Sequence, residues 1–356
     1  MTHRAPQTCT RISGHILRGP DQCVFYDPGV GTGAYHLRRQ SRIKNAWDRL
    51  WGGAFGAGLS GNVQDVYQWL SENYQDGDEL WFLGFSRGAF TVRSAVGLIR
   101  KIGLLRSPVD PGLIEQGYDI YRARDESPDS PRALAFRKRH GTIPISELNI
   151  AFVGVWDTVG ALGVPGGFLG RISRRRWGFH DHALSSHVRR AYHAVAADEL
   201  RAPFMAALWK TEPQPGQDVE QVWFAGRHTD VGGRRGDIAL RWMAQKAEDA
   251  GLKFDRPVLE WGDLRDAPKR IGPLHSLQWR ILGGEVTRPI GDPKYPGQII
   301  HASLDELYDS SPDYRRQNMV AWRDGKPLTA PIGRKWWYTV PGANEYYLRQ
   351  YDDVQQ

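Results

Sequence analysis

The stretch ELWFLGFSRGAFTVRSAVG, residues 79–97, joins an apolar run to an amphipathic run through a turn that reads GFSRG. The first run predicts a buried strand, and the second, with apolar residues spaced by threes and fours, predicts a helix. The turn matches G-x-S-x-G, the pattern of a nucleophile elbow. We expect Gly84 and Gly88 to leave room where strand and helix meet, so that Ser86 projects from the sheet at the positive end of a helix dipole.

The composition is typical of one large α/β domain. A chain of 356 residues with 40% hydrophobic residues can bury a sizeable core. The sequence contains no apolar run of about 18 residues and no signal-peptide pattern near its start, so we expect neither a transmembrane helix nor a leader. Its two cysteines, Cys9 and Cys23, lack metal-ligand spacing. We therefore expect no metal, no cofactor and a cytoplasmic location. Export by a route that needs no signal peptide stays open as an alternative.

The net charge of +7 is concentrated in arginine-rich clusters at 38–39, 137–139 and 174–176. We interpret these clusters as solvated loops, and no nucleic-acid-binding motif accompanies them, so no nucleic-acid partner is expected. The glycines at 56, 58 and 61 match a dinucleotide fingerprint, but no strand precedes them, which argues against a nucleotide site. A helix is predicted to begin at Asn62, a residue type that caps helices.

Four apolar runs predict strands that end in polar or glycine-rich motifs. They lie at 23–26, before GVGT; at 80–83, before GFSRG; at 148–156, before DTVG; and at 219–226, before the motif HTDVGG. Strands alternating with helices imply a mostly parallel sheet flanked by helices, and its strand ends meet at one edge. We predict a catalytic domain over 1–251 and an irregular C-terminal extension over 252–356, packed on the core.

Serine, acid and histidine follow one another in the order expected of an α/β-hydrolase triad. Serine is a poor nucleophile unless an imidazole takes its proton, and a carboxylate must orient that imidazole. We favour Ser86 with Asp157 and His228. The pair Asp230 and His301 remains an alternative.

Two further positions bear on this site. The backbone N–H of Arg87 is the expected first donor to an oxyanion. A helix-like stretch at 186–197 carries His193, which we interpret as a structural histidine. The sequence contains no pattern that predicts an oligomeric state.

Longer motifs resemble a known family, the catalytic domain of type VI secretion phospholipase effectors and its uncharacterised relatives. The matching segments are YDPGVGT at 26–32, GFSRGAFT at 84–91, GVWDTVGA at 154–161 and QVWFAGRHTDVGG at 221–233. The resemblance implies an α/β-hydrolase-like esterase or phospholipase that acts on a lipid or other ester. It also implies that Ser86 is the nucleophile, Asp157 the acid and His228 the base.

One departure from the family pattern keeps a second hypothesis open. The Asp-Gly-Thr strand that opens other members has no counterpart here. A non-catalytic relative that binds a membrane or a partner protein is therefore the alternative function. The aromatic run WWY at 336–338 is a candidate for peripheral membrane contact, although burial against the core is the favoured interpretation.

Overall fold

The computed structural model describes residues 8–27, 55–123, 125–159, 183–201, 204–210, 212–233, 237–261, 285–314, 316–326, 328 and 332–334. Several sequence predictions lie outside these residues. They concern the loop at 29–32, the arginine clusters at 38–39 and 174–176, and the aromatic run at 336–338.

Helices and strands are interspersed along the described part of the chain. The helices are α1 (Thr8–His15), α2 (Phe55–Asn73), α3 (Arg87–Ile102), α4 (Pro111–Arg122), α5 (Pro131–His140), α6 (His228–Val231), α7 (Ile238–Asp249), α8 (Ala302–Ser310) and α9 (Gln317–Arg323). The strands are β1 (Glu79–Phe85), β2 (Asn149–Trp156), β3 (Val188–Ala196), β4 (Asp218–Phe224), β5 (Glu285–Thr287), β6 (Gln298–Ile300) and β7 (Ile332–Arg334).

The described strands form one five-stranded sheet in the order β1-β2-β3-β4-β6, and every neighbouring pair in it is parallel. Strands β5 and β7 form a separate antiparallel pair. Apolar side chains of β2 alternate between two cores, so that Val153 faces the helices α2 to α5 while Phe152 faces α1 and α7. This arrangement confirms the predicted α/β fold with a mostly parallel sheet flanked by helices, because both faces of the sheet are covered.

The predicted strand at 23–26 lies outside the described strands, and its aromatic side chains are partly exposed. Phe25 stacks on Trp69 with ring centroids 5.4 Å apart, and the Tyr26 hydroxyl lies 2.7 Å from that of Thr10. The prediction of a strand from these four apolar residues was therefore wrong. Side-chain contacts with two helices, and not strand pairing, position this segment.

The helix predicted from Asn62 begins earlier, at Phe55. Its glycines at 56, 58 and 61 lie within helical turns, not in the strand-to-helix loop that a dinucleotide fingerprint requires. Leu59 packs against Phe90, and the hydroxyls of Ser60 and Tyr118 lie 3.0 Å apart. These tertiary contacts outweigh the helix propensity of glycine, which is about 1 kcal/mol less favourable than that of alanine.

The predicted helix-like stretch at 186–197 is also wrong, since it contains strand β3. The strand is buried on both faces from Ala191 onward, so it lacks the polar alternation that marks a half-exposed strand. Because β3 is a central strand, it carries His193 into the core, where the residue is 0% exposed.

The boundary predicted at 251/252 stays a prediction. Strand β6 lies after that boundary and pairs with β4, so the C-terminal part supplies one strand of the main sheet. None of the helices in the described segments is long and apolar enough to cross a membrane.

Candidate active site

Ser86 lies between β1 and α3 in a backbone conformation that side chains rarely adopt, with φ 58° and ψ −117°. Its N–H donates to the Trp156 carbonyl over 2.9 Å, which extends the ladder between β1 and β2 by one residue. A Cβ at Gly84 would lie 2.5 Å from the Gly88 carbonyl oxygen, so glycine is required there. A Cβ at Gly88 would meet open space, so the predicted steric role of Gly88 is wrong.

Asp157 follows β2 and is fully buried, with φ 41°. Its N–H donates to the Ala194 carbonyl over 2.7 Å, which extends the next ladder, between β2 and β3. Its Oδ1 accepts from the Ala196 N–H over 2.9 Å. The ends of β1 and β2 therefore hold Ser86 and Asp157 at one edge of the sheet, as predicted from their positions after parallel strands.

His228 is the first residue of α6, and its ring bridges the other two side chains. Its Nε2 lies 2.8 Å from Ser86 Oγ, and its Nδ1 lies 2.7 Å from Asp157 Oδ2. The imidazole packs between the aromatic rings of Phe85 and Phe204, with centroid distances of 4.8 and 4.9 Å. The structure thus brings together Ser86, Asp157 and His228, which lie far apart in the sequence.

The aromatic ring of Phe85 that supports His228 depends on a glycine in α6's C-terminal turn. A Cβ at Gly232 would collide with the Phe85 ring. No pattern in the sequence predicts this role of Gly232, because only the folded chain places it against the last residue of β1.

Arg288 is a member of the site that sequence reasoning missed. Its guanidinium is 1% exposed, and its two terminal nitrogens donate to both oxygens of Asp157, over 2.6 Å to Oδ1 and 3.0 Å to Oδ2. The same nitrogens donate to the carbonyls of Ala196 and Phe204. Arg288 follows β5 directly, and no pattern in the sequence connects it with Asp157.

These contacts determine the ionisation of Asp157. Burial raises the pKa of a carboxyl group, but the charge of Arg288 and the hydrogen bond from His228 outweigh it, so the pKa of Asp157 is lowered. Three of the four groups that contact its oxygens, the Ala196 N–H and the two terminal nitrogens of Arg288, can only donate hydrogen bonds. Since an ionised carboxylate only accepts, His228 must carry its proton on Nδ1 and present the lone pair of Nε2 to Ser86.

The backbone N–H of His228 is anchored as well. It donates to Glu199 Oε2 over 3.3 Å, and the Glu199 carboxylate is held in turn by the guanidinium of Arg201, with Nη2 2.7 Å from Oε2. Glu199 is 1% exposed, so this anchor is shielded from water. The start of α6 is therefore fixed independently of the His228 ring.

His193 contacts the backbone directly after Asp157 and does not contact the serine. Its Nε2 accepts from the Thr158 N–H over 3.1 Å. Burial and, secondly, the charge of Arg93 lower the pKa of His193 to about 3, so the ring is neutral. This position in the core agrees with a structural role.

Asp230 and His301, the alternative pair, form hydrogen bonds with residues close to them in the chain. Asp230 Oδ2 accepts from the Arg227 N–H over 3.0 Å at the start of α6. His301 precedes α8, where its Nδ1 accepts from the Ser303 N–H over 3.1 Å, and its ring stacks on Phe224. Ser86 Oγ is hydrogen-bonded to the ring of His228, and this geometry favours Asp157 and His228 over Asp230 and His301.

Arg87, named for its backbone donor, is the first residue of α3. The first N–H groups of a helix have no partner within the helix and lie at the positive end of its dipole. Burial lowers the pKa of the Arg87 guanidinium. Its N–H directly follows Ser86 in the chain, the position that supplies one of the oxyanion donors next to a nucleophile elbow.

Comparison with known proteins identifies related sequences. The sequence pattern of a family described as "T6SS, Phospholipase effector Tle1-like, catalytic domain" matches residues 4–246. An uncharacterised protein of Saccharomyces cerevisiae is 27% identical over 207 residues, which cover 54% of this chain and 28% of the yeast protein. No solved structure matches the chain. The family match includes the three residues of the bridged site, whereas Arg288 lies beyond it.

Proposed function

The chain belongs to the family of type VI secretion phospholipase effector, Tle1-like, catalytic domains, and from this premise we propose that it is a serine-dependent carboxylic ester hydrolase. The observation that carries the proposal is the continuous hydrogen-bonded series from Ser86 Oγ through the His228 ring to the Asp157 carboxylate, with distances of 2.8 and 2.7 Å. These distances are within the range at which a general base removes a proton.

Proton transfer follows from the assigned tautomer. The Ser86 hydroxyl donates to Nε2 of His228, and as Oγ attacks the ester carbonyl carbon this proton moves to Nε2. Asp157 stabilises the imidazolium that forms. When the tetrahedral intermediate collapses, His228 returns the proton to the leaving alcohol, and water then releases the acyl group from Ser86 by the same steps.

The negative oxygen of the intermediate requires N–H donors that are already in position. We assign the first donor to the Arg87 N–H, at the start of the 16-residue helix α3. The backbone of Ser86, with φ 58°, is the sharp turn that a nucleophile elbow needs between strand and helix. Strain of this kind costs on the order of 1–3 kcal/mol and is typical of catalytic positions.

The substrate class that we propose is a phospholipid or another lipid ester. The family is named for phospholipase effectors. The net charge of +7 would attract the protein to an anionic lipid surface, and we propose peripheral contact with such a surface.

The test compares Ser86→Ala with wild type on p-nitrophenyl butyrate and on phospholipid vesicles. We expect the alanine variant to lose hydrolysis of both, with the unfolding midpoint nearly unchanged. His301→Ala is the matched control and should keep turnover within about twofold, while loss of its contact to the Ser303 N–H costs about 1 kcal/mol of stability. Turnover retained by Ser86→Ala, or lost in a folded His301→Ala, would contradict the assignment.

A fluorophosphonate probe distinguishes this proposal from a non-catalytic binding protein. We expect labelling at Ser86 in the folded wild type, because the probe reacts with an activated serine. Folded protein that binds lipid vesicles but neither reacts with the probe nor hydrolyses esters would support the non-catalytic alternative.

A further inference from the structure

The carboxylate of Asp157 is held on both of its oxygens. Oδ1 accepts from the Ala196 N–H and from Arg288 Nη1, and Oδ2 accepts from His228 Nδ1 and from Arg288 Nη2. The guanidinium contributes one bond to each oxygen through Nη1 and Nη2, which is the end-on, bidentate geometry that arginine forms with a carboxylate. Such a pair fixes the plane of the carboxylate as well as its position, and the plane decides where the lone pair of Oδ2 meets the imidazole.

The guanidinium is itself fixed by contacts with two strand-end segments. Its nitrogens donate to the carbonyl of Ala196, at the end of β3, and to the carbonyl of Phe204, whose ring packs on His228. The backbone beside it is anchored too, since the Val286 N–H donates to the Leu200 carbonyl over 2.7 Å. Arg288 therefore links the carboxylate to a segment that also supports the imidazole.

The charge of Arg288 matters separately from its geometry. The ion pair of Arg288 and Asp157 is buried on both sides, with side-chain exposures of 1% and 0%. In this dry environment a positive charge next to the carboxylate opposes protonation of Asp157. A neutral residue in its place would let Asp157 take up a proton more easily, and a protonated Asp157 would not stabilise an imidazolium.

We propose that Arg288 is a positioning residue of the catalytic site, which holds the Asp157 carboxylate in the plane required by His228. This inference rests on the proposed ester hydrolysis. It also means that the catalytic unit includes sequence beyond the family match at 4–246, because the segment that follows β5 completes the site.

The decisive experiment measures kcat and KM against pH for wild type, Arg288→Gln and Arg288→Lys on p-nitrophenyl butyrate. We expect Arg288→Gln to lower kcat by about 10- to 100-fold, the usual effect of removing a residue that orients a functional group, with KM within about twofold. The acid limb of its profile should move to higher pH, because the charge that lowers the pKa of Asp157 has been removed. Arg288→Lys keeps the charge but loses the two terminal nitrogens that contact both carboxylate oxygens, so its kcat should fall while its acid limb stays close to that of wild type.

Arg316→Gln is the matched control. Arg316 lies in the same C-terminal part and pairs with a different buried carboxylate, with Nε 3.2 Å from Asp198 Oδ1. We expect this variant to lose stability but to keep the wild-type acid limb, since its partner is not Asp157. Circular dichroism and unfolding midpoints show which variants are folded.

A second readout does not depend on turnover. The proton shared by His228 Nδ1 and Asp157 should give a downfield proton NMR signal in wild type, weakened or shifted in Arg288→Gln and preserved in Arg316→Gln. A folded Arg288→Gln with wild-type kcat, acid limb and NMR signal would overturn the positioning role, while loss of activity in Ser86→Ala would still support the proposed function. If Arg288→Gln does not fold, a folded Arg288→Lys with wild-type kcat overturns it. Wild type that lacks both hydrolysis and probe labelling refutes the proposed function and this inference together.

Discussion

Replacing Asp157 with asparagine removes the negative charge from the site with almost no change in the size of the side chain. The substitution exchanges one carboxylate oxygen for an amide nitrogen of nearly the same size. Each oxygen of Asp157 now accepts two hydrogen bonds, one of them from Arg288. An amide nitrogen at Oδ2 would face His228 and Arg288, and at Oδ1 it would face Ala196 and Arg288. At Oδ1 the nitrogen would oppose two donors. At Oδ2 it would oppose the Arg288 donor, and His228 could accept from it only by giving up the Nδ1 proton, so no rotamer of asparagine satisfies the site with the tautomer unchanged.

The magnitude follows from these contacts. With the amide nitrogen toward the imidazole, His228 shifts its proton to Nε2 and can no longer accept from Ser86. The wrong tautomer lowers kcat by about 10⁴-fold in a serine triad, which corresponds to about 5 kcal/mol of lost transition-state stabilisation. Stability falls as well, because Arg288 is left charged and 1% exposed without the carboxylate that it pairs with, a change that costs about 3–5 kcal/mol.

The assay combines ester hydrolysis with denaturant unfolding of Asp157→Asn. Asp237→Asn is the matched control, because Asp237 is also fully buried and pairs with an arginine, Arg11 Nη1, at 2.5 Å. We expect both variants to lose stability and only Asp157→Asn to lose turnover. A folded Asp157→Asn with kcat within about tenfold of wild type would refute the assigned tautomer and the role of Asp157.

Two further predictions concern the supports of the site. Gly84→Ala should destabilise the protein by about 1–3 kcal/mol in urea unfolding, because its Cβ would lie 2.5 Å from a backbone oxygen that cannot move away. Gly88→Ala, whose Cβ would meet no described atom within 4 Å, should not destabilise the protein. Equal losses of stability in the two variants would contradict the steric argument. His193 has its pKa lowered to about 3, first by burial and then by Arg93, so the folded state stays neutral while the unfolded chain takes up a proton below about pH 6.5. Its contribution to the unfolding free energy is therefore complete above about pH 6.5 and falls by up to ~1.4 kcal/mol per pH unit as the pH drops toward 3. His193→Gln should lack this slope. Equal slopes in the variant and the wild type would contradict the buried neutral state.

The sequence predicted elements whose local pattern and tertiary environment agree. Strands β1, β2 and β4 are apolar runs bounded by turn residues, and α7 has apolar positions on one face, so pattern alone located each of them. Strand β3 was misread because its burial on both faces removes the alternation on which the prediction depends. The start of α2 was missed because contacts from α3 and α4 stabilise a glycine-rich turn that has low helix propensity by itself.

The candidate site was predictable to the extent that it lies at strand ends. Ser86, Asp157 and His228 follow strands β1, β2 and β4, and the parallel order of a doubly covered sheet brings such positions together. Arg288 was not predictable in this way, because it is not at the end of a strand of the main sheet. Its pairing with Asp157 spans 131 residues, and any of the many arginines of the chain could have supplied the charge.

The two strained residues of the site show how the sheet and the chemistry depend on each other. Among the described residues, Ser86 and Asp157 are the non-glycine residues with positive φ, and they follow neighbouring strands. Each is tied by its N–H to the next strand, Ser86 to Trp156 and Asp157 to Ala194, over 2.9 and 2.7 Å. An isolated turn would relax from such a conformation, at a gain on the order of 1–3 kcal/mol per residue. The ladder bonds oppose that relaxation, so the pairing of β1, β2 and β3 fixes the backbone from which Ser86 and Asp157 reach His228.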